Sequence, residues 1–154
     1  MDMNRKFNFR NLFVKREQRK LACSAERRKG RMKSNLICYQ KGRVLVKEVY
    51  ALVKTFPVEE KYALGDQMRR AVVSVTSNIA EGSGRQSLKD QAHFLELSYG
   101  SLMEVMSQLD LALDLNFIDN ENYNRLELLI EEEAKIVSGY RASLLDRASK
   151  LNTL

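Results

Sequence analysis

From Asn35 onward, apolar residues recur at helical spacing in four runs separated by short breaks. In the first run, Cys38, Leu45, Val49, Leu52 and Phe56 share one face, with Val46 and Val53 on an adjoining stripe. Pro57 ends it, because proline lacks an amide hydrogen and disfavours helical geometry in the residue before it. The second helix is expected to start with Val58-Glu59-Glu60, acids in its first turn, and to run to about Glu81. Met68, Val72, Val75 and Ile79 form its stripe, broadened by Leu64, Ala71 and Ala80. Gly82 and Gly84 then read as the helix turn, free to take left-handed angles and reverse the chain. Ser87 caps the third helix, with Asp90 three residues on.

That third helix is the most regular, with Leu88, Leu95, Leu102 and Leu109 at intervals of seven. Ala92, Tyr99, Met106 and Leu113, four residues behind each, complete an expected a/d seam. Phe94, Leu97, Met103, Val105 and Leu111 lie off that seam, more apolar surface than one partner helix covers, which places this helix centrally or at a subunit interface. Asp119 or Asn120 opens a fourth helix whose inward stripe is Tyr123, Leu126, Ile130, Ala134, Val137, Leu144 and Ala148. Glu127 and Glu131 to Glu133 read as its solvated face. The fold expected is all-α: an antiparallel up-down-up-down four-helix bundle, since short connections force antiparallel neighbours.

Composition narrows this further. The 154 residues suit one core, and a single proline with seven glycines argues against a sheet protein. No run approaches the roughly 18 apolar residues of a membrane span, so a cytoplasmic location with reduced Cys23 and Cys38 is expected. The net charge of +6 is unevenly spread. Residues 1–33 carry twelve Lys and Arg against three acids (Asp2, Glu17, Glu26), a net +9, whereas residues 34–154 carry fourteen against seventeen, a net −3. The chain thus divides into a basic N-terminal extension, 1–33, and a mildly acidic bundle, 34–154. Met32 opens the stretch in which periodicity is first sustained, and an initiation there would remove the extension.

Catalytic chemistry finds little support. A di-metal bundle site needs glutamates on two helices and Glu-x-x-His on two others, but His93 is the only histidine and precedes Glu96 in reversed order. Ser74, Ser77, Ser98 and Ser101 have no dependable base, and Gly82-Ser83-Gly84 lacks the lysine of a phosphate loop. No catalytic residue, metal, cofactor or small-molecule substrate is therefore expected. Ser74, Asn78 and Glu81 line one side of the second helix toward Arg85, and Ser101, Glu104 and Gln108 line the third. Those stripes are either a solvated face or a structural polar network that sets helix register and oligomer geometry.

Phe56-Pro57 followed by Glu59, Tyr62 and Leu64, then Asp66-Gln67-Met68-Arg69-Arg70-Ala71 with Ser74, Asn78-Ile79-Ala80-Glu81-Gly82, and Gly100-Ser101-Leu102 with Glu104, stand in one order. In these residues the chain resembles the bacterial four-helix bundle proteins related to the 23S ribosomal RNA intervening sequence protein, over roughly Asn35 to Leu145. The resemblance implies an antiparallel bundle assembling as a homopentamer, without demonstrated catalysis and with a proposed association with RNA. It places motif positions at Arg69, Arg70, Ser74, Asn78, Glu81, Gly82, Arg85, Ser101 and Glu104 without assigning their roles. For nucleic-acid binding the candidates are Arg69, Arg70, Arg85 and Lys89, expected to cluster in the hairpin and, repeated round a ring, to form a positive rim. The alternative is a homo-oligomeric scaffold that holds a protein partner and touches no nucleic acid.

Overall fold

The computed structural model describes residues 36–152. The basic N-terminal extension, with Cys23 and the expected helix start at Asn35, lies outside the described residues. Within them every regular element is helical: α1 covers residues 36–53, followed by α2 (Val58–Lys61), α3 (Leu64–Gly84), α4 (Leu88–Asp114) and α5 (Asn120–Asn152).

Each end has a local cause. Beyond α1, the Thr55 amide and hydroxyl both donate to the Leu52 carbonyl, at 2.9 and 2.7 Å, and extended Pro57 stops the ladder. The segment after Pro57 is not the single second helix expected. The one-turn α2 is split from α3 at Ala63, whose φ of −106° and ψ of −97° break the helix. Gly65 explains the fold-back: a Cβ there would stand 2.5 Å from Val53 Cγ1 and 3.1 Å from the Glu60 carbonyl oxygen. A side chain would push α3 away from the end of α1.

The expected glycine turn is also corrected. α3 runs through Gly82 and Gly84, no described glycine has a positive φ, and the chain leaves the helix at extended Arg85. Gly82 is buried, and a Cβ on it would come 2.8 Å from Phe94 Cβ, so it serves close helix packing. Ser87 caps α4 as expected, accepting from the Asp90 amide at 3.3 Å. The left-handed residue is Asn116, φ 57°, at the end of α4. Its amide reaches the Leu113 carbonyl and that of Phe117 the Ala112 carbonyl, both at 2.9 Å, the paired bonds of a Schellman stop. Asp119 then caps α5, accepting from the Asn122 amide at 2.8 Å.

Cross-helix contacts give the register. Gly42 faces Thr76 and Ile79 while Val53 faces Gly65, so α1 runs antiparallel to α3. Ser98 meets Val75 and Gly82 meets Phe94, which sets α4 antiparallel to α3. Asp110 pairs with Tyr123 and Glu96 with Arg141 across α4 and α5. Lys41 with Glu132 and Glu48 with Arg125 close α5 onto α1. The result is an antiparallel four-helix bundle in which all four long helices contribute to one core. No described helix is long and apolar enough to cross a membrane.

The expected interior rows hold in part and are widened by residues one position away. On α4, Leu95, Leu102, Leu109 and Ala92 are buried as expected, but Gln91, Ser98, Val105 and Ala112 form a second buried row, while Met106 and Leu113 are only partly buried and Tyr99 is exposed. On α5, Leu126, Ile130, Val137, Leu144 and Ala148 are interior as expected, joined by Glu133 and Tyr140. Glu133, expected on the solvated face, is buried, and Ala134 is only partly so. In both helices a polar residue occupies a position whose spacing, not whose chemistry, marks it as interior.

Candidate functional site

The four cationic candidates do not form one patch. The helical rise between Arg69 and Arg85 amounts to about 24 Å, so Arg69 and Arg70 stand near the start of α3 while Arg85 and Lys89 stand at its far end. Two of the four are engaged internally. Arg69 is half-buried: it pairs with Asp66, donates to the Lys61 carbonyl at 3.1 Å and lies 6.0 Å over the Tyr50 ring, tying α1, α2 and α3 together. Arg85 pairs with Glu81 and stacks its guanidinium 4.6 Å from the Phe94 ring centre. Arg70 and Lys89 are exposed.

The polar stripe of the α3–α4 hairpin divides into separate groups. Ser101 Oγ lies 2.9 Å from Ser74 Oγ and 3.2 Å from the Leu97 carbonyl, and Asn78 Nδ2 donates to Ser74 Oγ at 3.2 Å. Glu81 belongs with Arg85 at the turn, and Glu104 is exposed and makes no hydrogen bond to a described residue. Two residues outside the expected polar stripe, Ser98, weighed only as a nucleophile, and Gln91, bind the hairpin more deeply. Buried Ser98 donates to the Val75 carbonyl at 3.1 Å, and buried Gln91 donates through Nε2 to the Arg85 carbonyl at 2.6 Å. Their signal is heptad position, three residues from a leucine of the seam.

Across the bundle, Glu133 is 1% exposed, and neither carboxylate oxygen has a hydrogen-bond partner. Burial, with Glu132 adding repulsion and Lys41 opposing, holds its carboxyl up at about 8. Burial and then Glu133 likewise push the neighbouring Cys38 thiol up to about 12. That thiol is a poor nucleophile, since the thiolate is the reactive form. His93 is exposed, its Nδ1 4.0 Å from Glu96 Oε2. Among the described residues no group of three His, Cys, Asp or Glu is placed to hold a metal.

α4 packs on both α3 and α5 and still leaves Leu97, Tyr99, Met103 and Leu111 exposed. Between α4 and α5, Tyr99, Met103, Met106, Ile130 and Ala134 line an open groove of about 430 Å³ with Glu131 and Lys135 at its rim.

Comparison with known proteins bears on this arrangement. The family model described as "23S rRNA-intervening sequence protein" matches residues 34–139. A crystal structure of a protein of unknown function from the S23 ribosomal protein family of Bacteroides thetaiotaomicron superposes with a TM-score of 0.66. It is 21% identical, and the match covers 71% of this chain and 98% of that one, a likeness of fold. No curated protein matches the chain.

Proposed function

The chain belongs to the 23S rRNA-intervening sequence protein family, and from that premise we propose that it is a non-catalytic, homo-oligomeric, RNA-associated bundle of the cytoplasm whose attraction for RNA resides in residues 1–33. The observation that carries this is the division of charge. Residues 1–33 hold a net +9, while the bundle behind them is net −3 and has Arg69 and Arg85 engaged with Asp66 and Glu81. Phosphate binding rests on concentrated, unneutralised cations, so the extension supports it better than a rim of hairpin arginines. The family's own name supports RNA as the partner class. Exposed Leu97, Tyr99, Met103 and Leu111 on α4 support assembly of copies, since several large apolar side chains left in water on one helix favour association. A ring of five is the form the resemblance suggests.

The test is RNA affinity against salt for the whole chain, for a chain lacking residues 1–33, and for the whole chain carrying Arg70→Gln and Lys89→Gln. A steep salt dependence is expected in the first and third and should disappear in the second. Equal binding by the first two overturns the proposal, and returns the function to the hairpin. An absence of RNA binding in all three favours the second reading, a scaffold for a protein partner, for which the α4–α5 groove is the supporting feature. Light scattering on the same samples reads the number of copies.

A further inference from the structure

Glu133 is a buried acid that the proposed function does not use, and its surroundings suggest a task. The backbone of α1 lies directly over it: a Cβ on Gly42 would stand 3.4 Å from Glu133 Oε1 and 3.0 Å from Thr76 Cγ2. The missing side chain lets α1 close on α3 and α5 at this level. The groups facing the carboxyl are Cys38 and Lys41 from α1, Thr76 from α3, which does not titrate, and Glu132 on α5 itself. Lys41 does not neutralise it, because its Nζ sits outside, 2.7 Å from Glu132 Oε1. A buried carboxylate without a donor is far costlier than the neutral acid.

The two ends of α1 are held differently. At its far end, Val53 packs on Gly65, Tyr50 lies under Arg69, and Phe56 just beyond packs on Phe117 at 5.8 Å. At the Cys38 end, Gly42 rests on Thr76 and Ile79 and Lys41 pairs with Glu132 at the surface, but the interior group between them is the unbonded carboxyl. We infer that Glu133 is a proton-operated latch: as the neutral acid it lets α1 close over α3 and α5, and as the carboxylate it lifts the Cys38 end of α1, admitting water, while α3, α4 and α5 stay packed.

Closed, the carboxyl titrates at about 8; opened and hydrated, it returns toward 4.5. The closed form therefore binds the proton more tightly, and the opening equilibrium rises by about tenfold per pH unit between those values. Cys38 reports the event, being 0% exposed when α1 is closed.

The experiment uses the full chain with Cys23→Ser, so that Cys38 is the single thiol, with and without Glu133→Gln. Cys38 labelling by a thiol reagent is followed from pH 6 to pH 9. The ratio of the rate with Glu133 to the rate with Gln is expected to climb by about tenfold per pH unit up to pH 8 and then level. An ionised Glu133 in a closed bundle raises the Cys38 thiol further and would slow labelling, so acceleration requires opening. Hydrogen exchange on the chain retaining Glu133, read as protection relative to the intrinsic amide rate at each pH, is expected to lose protection with rising pH over residues 38–46 and not over 102–109. A pH dependence identical in the two chains overturns the latch, as does loss of protection in both segments together. If Glu133→Gln fails to fold by circular dichroism, the exchange comparison decides by the same criterion.

Discussion

The α3–α4 hairpin and the α1–α5 pair solve one packing problem with opposite outcomes. Each depends on a glycine pressed against a neighbouring helix, Gly82 on Phe94 and Gly42 on Thr76 and Glu133. Each also seats polar residues in an apolar seam. In the hairpin, Ser98 and Gln91 find carbonyls of Val75 and Arg85, which leaves the neutral Gln108 Oε1 as the hairpin's buried polar atom without a partner among the described residues. On the other side Glu133 finds nothing. A small hydroxyl can share the carbonyl of a facing helix, whereas a carboxyl offered to a glycine backbone meets no free donor. The first arrangement locks register, and the second stores a cost that depends on protonation.

That contrast can be broken or sharpened by measurement. The largest effect is expected from pH. A carboxyl raised from 4.5 to about 8 contributes stability that is complete below about pH 4.5 and lost as pH rises through about 8. Denaturant titrations should show a fall approaching 1.4 kcal/mol per pH unit at most, on the order of 5 kcal/mol in all, that Glu133→Gln removes. Next comes Gly82→Ala. The new methyl 2.8 Å from Phe94 Cβ should destabilise by about 2 kcal/mol by overpacking, although alanine is the better helix former. Ser98→Ala should cost about 1 kcal/mol in the same titrations, with no dependence on pH. Last, a double-mutant cycle on exposed Glu81 and Arg85 should return a coupling of only about 0.3–0.5 kcal/mol, screened by salt. A coupling well above 1 kcal/mol would restore the idea of one polar network along the hairpin.

Helix existence and the Pro57, Ser87 and Asp119 boundaries were legible, because capping and proline chemistry act within a few residues. The interior rows were less so. Counting apolar residues leads to Tyr99 and Ala134, whereas the heptad intervals three beyond Leu95 and Ile130 lead to Ser98 and Glu133. Spacing carries the information and residue type hides it. The glycines mislead for a related reason: Gly82 reads equally as a turn or as a close approach until the facing Phe94 is known. The candidate arginines look like a cluster because sequence proximity in a hairpin is not spatial proximity along a helix of 21 residues.

Asn116 has a reach beyond its own turn. By halting α4 at a set residue, it frees the chain to begin the last rod afresh at Asp119, whose cap is built only from its own neighbours. A residue inserted between the two would lengthen the connection while the cap and the buried face of α5 travel together. The orientation of the final helix, and with it the seat of Glu133, is thus insulated from the length of the link that precedes it.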